Sequence, residues 1–168
     1  MNHPFIKGLD LSELFYEEAV NPILARRFPD LAYSAALIGA GSDVLGFDTP
    51  QSMDHDWGPR LMLFLTEADH ESYHNTINQV LRRELPEEIR GYPTHFGRHE
   101  DGTALMTAAE DGAVEHGVKI LTVQRFFKPI LNFDPLGDIR AVDWVSVPEN
   151  HLLMLTAGRV FHDGLGQL

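Results

Sequence analysis

The chain has 168 residues, 43% of them hydrophobic and 23% charged, with no cysteine. That length fits one domain with a core of its own, and the composition excludes wholesale disorder, a disulfide scaffold, thiolate zinc sites and cysteine catalysis. Lys and Arg number 13 against 25 Asp and Glu, a formal charge of −12 with no long basic run, which argues against nucleic acid as a partner.

No stretch approaches the apolar length of a membrane span, and Met1 to Lys7 lacks a secretory pattern, so the expectation is a cytoplasmic protein with no membrane partner. Asp10 or Ser12 is placed to cap a first helix, over 11–27. Its apolar positions Leu11, Leu14, Phe15, Ala19, Ile23 and Leu24 recur three and four apart. Pro22 is expected to kink or split it. Leu31 to Ile38 reads as a short buried strand, followed by the glycine-rich run Gly39 to Gly46 and the turn Asp48-Thr-Pro50. Leu61 to Leu65 is a second buried strand, and Tyr73, Ile77, Val80 and Leu81 mark an amphipathic helix from Asp69 to Glu84.

Residues 86–117 are polar and read as loops around short elements. Val118 to Val123 reads as a third strand, Arg125 to Leu131 and Pro148 to Leu155 as short helices, and Arg159 to His162 as a last strand. Only about twenty residues, with no helix among them, separate the first two strands, so that pair is expected antiparallel. The fold class is therefore α+β, a mixed β-sheet backed by the 11–27 and 69–84 helices. The chain is read as a single domain over 1–168 that stops, at Gly166-Gln-Leu168, short of further chain.

Several motifs invite chemistry and fail on spacing. Gly39-Ala-Gly41 opens a dinucleotide fingerprint, but Val44 stands where the third glycine belongs. Gly41 to Gly46 has phosphate-loop glycine spacing, but Phe47 replaces the lysine. His70-Glu71-Ser-Tyr-His74 matches the zinc-protease pattern on a helix, with His70 and His74 as ligands and Glu71 polarising water. It lacks the extended motif, and half-buried helix histidines are the simpler reading. His95 to His99 has similar spacing, interrupted by Gly97.

One constellation is more specific. A buried strand ends in Gly41-Ser42, and Asp54-His-Asp56-Trp-Gly-Pro-Arg60 then leads into a second buried strand. On a strand, Asp54 and Asp56 share a face. Two carboxylates beside apolar residues resist desolvation unless a hard cation takes them, and Mg²⁺ binds carboxylates together with substrate phosphates. Gly41 lets backbone N–H groups approach an anion, and the Ser42 hydroxyl adds a donor.

This pattern resembles the polymerase-beta-like nucleotidyltransferase superfamily, marked by an apolar residue, Gly and Gly or Ser, followed by D-h-[DE]-h. It looks most like a bacterial branch in which a nucleotidyltransferase-like domain precedes a helical domain. The likeness extends from the first helix to Val160-Phe-His-Asp-Gly-Leu-Gly166 and so covers most of the chain. The resemblance implies that Gly41 and Ser42 contact nucleotide phosphates and that Asp54 and Asp56 ligate Mg²⁺, or Mn²⁺ in its place. The implied reaction is transfer of NMP from an NTP to a hydroxyl of a small molecule or protein. The family's third carboxylate falls where this chain has Lys119; Asp163 is the substitute beside a strand, and Glu115 lies just before the slot. Arg60 is a candidate phosphate contact, whereas Asp43 and Asp48 read as turn formers. The rival readings are a catalytically degenerate nucleotide-binding module of the same fold and a zinc hydrolase built on His70, Glu71 and His74.

Overall fold

The computed structural model describes residues 5–54, 57–98, 104–107 and 114–168. Its centre is a four-stranded mixed sheet of β1 (Ser34–Leu37), β2 (Arg60–Leu65), β7 (Gly117–Thr122) and β8 (Arg159–Asp163), in the order β7-β2-β1-β8. β1 is antiparallel to both β2 and β8, as the short connection between the first two strands requires, and β2 is parallel to β7. The parallel pair is joined through α3 (Glu67–Glu84) and two short hairpins, β3/β4 (Glu88–Ile89 with Tyr92–Pro93) and β5/β6 (His95–Arg98 with Ala104–Thr107). These short strands are the elements of the stretch that sequence reads as loops around short elements. The result is an α+β fold.

The central strands β1 and β2 bury both faces because helices cover both. Leu61, Leu63 and Leu65 point to one side with Ala35, Val118 and Ile120, and pack on Leu11, Phe15 and Leu24 of the N-terminal helix and on Ile77 and Leu81 of α3. Met62, Phe64 and Ala36 point to the other side and meet Val123, Phe126 and Phe127 of α4 (Val123–Leu131). Strand alternation thus splits one run of five apolar residues into two cores. Each fully buried Leu or Phe contributes about 1.5–3 kcal/mol relative to exposure.

The N-terminal helix begins at Gly8, earlier than expected, as α1 (Gly8–Phe15), a π turn (Tyr16–Val20) and α2 (Asn21–Arg27). Pro22 neither splits nor ends it. The π turn closes with the Asn21 N–H donating to the Tyr16 carbonyl, and Pro22 follows in the first turn of α2, where a missing N–H costs little. Neither Asp10 nor Ser12 caps α1; the Gly8 N–H donates to Asp48 Oδ2 at 2.7 Å, a cap supplied by a distant loop. Thr66 caps α3 and Thr122 caps α4, each accepting from the N–H three residues on, at 3.1 and 3.2 Å. Two further short helices, α5 (Ala141–Val145) and α6 (Glu149–Thr156), lead to β8, and neither has a buried residue. Among the described residues no helix is long and apolar enough to cross a membrane.

Candidate functional site

Antiparallel pairing brings the end of β1 and the start of β2 to one sheet end, and parallel pairing brings the start of β7 there too. A cavity of about 830 Å³ opens at that end. Its walls are the Gly41–Asp43 turn, Trp57 and Arg60 leading into β2, Asn78 and Arg82 of α3, and Glu115 to Lys119 at the start of β7.

The turn is built by its own backbone. Phe47 N–H donates to the Ser42 carbonyl at 2.8 Å, Gly46 N–H to Asp43 at 3.1 Å and Leu45 N–H to Gly41 at 3.2 Å. Its carbonyls are thereby spent inward. The N–H groups of Gly41 and Ser42 have no acceptor among the described residues, and the Ser42 side chain is exposed. This leaves uncommitted donors at the cavity wall, the arrangement that sequence spacing assigns to an anion.

Below the turn lies a buried ion pair. Asp43, 1% exposed, accepts from Arg60 Nη2 at 2.8 and 2.9 Å through its two oxygens, and from the Val44 N–H at 2.9 Å. Gly41, at φ +153°, makes room for it: a Cβ there would overlap Asp43 Oδ1 and come within 2.8 Å of Arg60 Nη2. Arg60, the candidate phosphate contact, lines the cavity, but its guanidinium is committed to Asp43. Its Nε is buried without an acceptor.

Asp48 is also buried. Besides the Gly8 N–H it takes the Trp57 indole N–H at 3.1 Å and the Lys7 ammonium at 3.3 Å. Burial alone would raise its pKa, but these donors hold it below the usual carboxylate range. Asp43 and Asp48 are therefore the two anchors of the 39–59 connection. Sequence reasoning gave them only turn roles because their partners Arg60 and Gly8 are remote in the chain.

Asp54 ends a short 3₁₀ turn, Pro50–Asp54, and the side chain of Asp54 and the whole of Asp56 lie outside the described residues. The next described residue, Trp57, is already in the cavity wall. Among the described residues no group of three His, Asp or Glu is placed to hold a metal ion.

Asp163 is not part of this site. The β1–β8 register sets Asp163 opposite Ser34 and Arg159 opposite Leu37, which puts Asp163 at the far end of the sheet, about 10 Å along the strand from Leu37. Its carboxylate accepts from Ser34 Oγ at 2.6 Å and from the N–H groups of Gln167 and Leu168 at 3.1 and 3.3 Å. The Ser34 bond foremost holds its pKa below the ordinary value. The antiparallel direction of β8, invisible in sequence, removes it as the substitute carboxylate. Glu115 does line the cavity but is paired with Arg82.

His116 anchors the start of β7 with both ring nitrogens. Nδ1 accepts from the Val118 N–H at 3.2 Å, and Nε2 faces the Asn78 carbonyl at 3.4 Å. Burial pushes its pKa below the ordinary histidine value, so the ring is held neutral.

The helical histidine pair is engaged elsewhere. The His70 and His74 rings lie 4.8 Å apart between centroids, tilted by 42°, and the Arg125 guanidinium lies 3.3 Å from His70 Nδ1. A cation at that nitrogen opposes a second cation, and Glu71 is solvent-exposed. The described residues do not assemble the zinc-hydrolase site. No family model matches the chain, and no curated protein or solved structure matches it.

Proposed function

We propose that the cavity binds a nucleotide and that the protein is a Mg²⁺-dependent nucleotidyltransferase, moving NMP from an NTP to a hydroxyl of a small molecule or protein. The observation that carries this reading is the convergence at one sheet end of the open Gly41 and Ser42 N–H donors with the segment that follows Asp54 and Asp56. A connection of some twenty residues between antiparallel strands returns to its starting point, so the Gly41–Asp43 turn and Trp57, the residue after Asp56 in sequence, line one cavity. Asp54 and Asp56 are the residues that would hold the metal: although Asp54 ends a 3₁₀ turn rather than lying on a strand, two carboxylates this close in sequence supply the hard oxygen donors a divalent ion takes. When bound, the ion neutralises phosphate charge. The chain's own turn grips the phosphate oxygens, and the Asp43–Arg60 pair beneath it fixes the turn's shape.

A second reading, a binding module without turnover, is favoured by a specific observation. No uncommitted carboxylate faces the cavity among the described residues, because Asp43 and Glu115 are paired and Asp163 is at the far end of the sheet. The described cavity wall offers no free carboxylate as a general base, and both ring nitrogens of His116 are engaged.

The test is calorimetric titration of non-hydrolysable ATP and GTP with and without Mg²⁺, repeated on Asp54→Asn and Asp56→Asn. Metal-dependent binding by the wild type and its loss in both folded variants are expected; full binding by both variants would overturn the assignment. Pyrophosphate release with hydroxyl acceptors then separates transfer from binding alone.

A further inference from the structure

We propose that Lys119 is the phosphate-chain ligand of the cavity, closing on the anion from the wall opposite Gly41 and Ser42. The inference rests on the nucleotide reading for the identity of its natural ligand, but its own content is narrower: a linear polyphosphate held between a lysine and a backbone turn.

Charge pairing inside the cavity carries the argument. Three permanent cations line it, Arg60, Arg82 and Lys119, with two carboxylates, Asp43 and Glu115. Arg60 is paired with Asp43 and Arg82 with Glu115. Lys119 has no ion-pair or hydrogen-bond partner among the described residues and is exposed. In a chain of formal charge −12, the one uncommitted charge on this described surface is positive. A cleft with low-dielectric walls focuses such a charge.

Register gives the direction. Arg60 pairs with Gly117 and Met62 with Lys119 across the parallel β2–β7 ladder, so Lys119 shares a sheet face with Met62 and Arg60. A Cβ on Gly117 would come within 2.8 Å of Arg60 Cβ, which confirms that these positions face the same way. Arg60 Cβ, the Phe96 ring and the Pro59 carbonyl fill the space a side chain at Gly117 would need, and the lysine lines the cavity from two residues farther along the same strand face. A single carboxylate would be satisfied by the turn's N–H groups alone. A ligand that uses both walls needs negative charge spread along its length, as a di- or triphosphate has.

The test uses inorganic tripolyphosphate, which lacks base and ribose, titrated into the wild type, Lys119→Gln, Lys119→Arg and Lys128→Gln. Lys128, exposed on α4 and outside the cavity lining, controls for net charge. Thermal melts confirm that each variant is folded. Lys119→Gln is expected to weaken tripolyphosphate binding by about tenfold or more, with Lys119→Arg within about threefold of the wild type and Lys128→Gln unchanged. Failure of the wild type to bind tripolyphosphate, or equal binding by Lys119→Gln, would overturn the proposal. Mg²⁺–nucleotide titrations separate the two claims. Equal nucleotide binding by the wild type and Lys119→Gln removes the lysine's role and leaves the nucleotide reading standing. Lys119-dependent tripolyphosphate binding without any nucleotide binding does the reverse.

Discussion

Arg60→Met is expected to cost far more stability than the loss of an exposed ion pair would. The Asp43 carboxylate is 1% exposed and accepts three described contacts, two from Arg60 Nη2 and one from the Val44 N–H. Methionine keeps much of the stem's packing but leaves a buried carboxylate with a single backbone donor. Breaking a buried pair from one side costs about 3–5 kcal/mol. For a chain of this size each kcal/mol lowers Tm by roughly 2–4 °C, so the expected fall is about 6–20 °C. The reciprocal change, Asp43→Asn, is milder, because Arg60 lines the cavity and an unpaired guanidinium there can take water. The double variant removes both charges and is expected to be more stable than the sum of the single effects predicts, by about 2 kcal/mol. Urea unfolding followed by circular dichroism gives all four corners of the cycle. A loss below about 1 kcal/mol in Arg60→Met, or strictly additive effects, would show that the pair is solvated like a surface ion pair and refute the reasoning.

Gly41→Ala places a methyl group on the same ion pair, at a backbone angle of +153°, and is expected to destabilise the chain by about 1–3 kcal/mol; a melt unchanged from the wild type would count against the turn geometry. His116, held neutral by burial, makes stability depend on pH. Above about pH 6.5 both folded and unfolded forms are neutral at this position. As pH falls below that value the unfolded chain takes up the proton first, so stability is lost until the folded ring also titrates. Urea midpoints from pH 7.5 to 5 should fall more steeply for the wild type than for His116→Asn, and equal slopes would remove His116 as the cause. Asp163→Ala loses the bonds to Ser34, Gln167 and Leu168 and is expected to cost about 1 kcal/mol, with tripolyphosphate binding unaltered; loss of that binding in the folded variant would return Asp163 to the site.

The sheet was legible in sequence wherever burial was two-sided. Leu61 to Leu65 and the 31–38 run are apolar almost throughout because both faces are covered, and the α3 stripe of Ile77 and Leu81 follows helical periodicity. The hairpins over 88–107 were not, since strands of two to four residues carrying Glu88, Gly97 and Thr107 show no alternation to read. In the site, Gly41 and Ser42 lie in the turn that follows β1, four and five residues beyond its end at Leu37. Arg60 reaches the cavity, but its partner could not be inferred, because Asp43 and Asp48 have the residue types of an ordinary turn. Their burial is decided by a guanidinium and a helix start elsewhere in the chain. Asp163 shows the opposite limit: its position beside a strand was visible, but which end of the sheet that strand delivers it to depends on pairing direction.

The π turn before Pro22 makes two sequence features conditional on each other. A π turn accommodates one residue more than an α turn, and here it ends with the Asn21 bond to Tyr16, immediately before the residue that cannot donate. Deleting a residue from Tyr16–Val20 would tighten the turn and set the proline ring against the carbonyl four residues earlier, at about 3 kcal/mol. Replacing Pro22 alone would leave a widened turn with nothing to require it. Relatives carrying a straight, uninterrupted helix are therefore expected to lack both the extra residue and the proline, and the two changes belong to one evolutionary step.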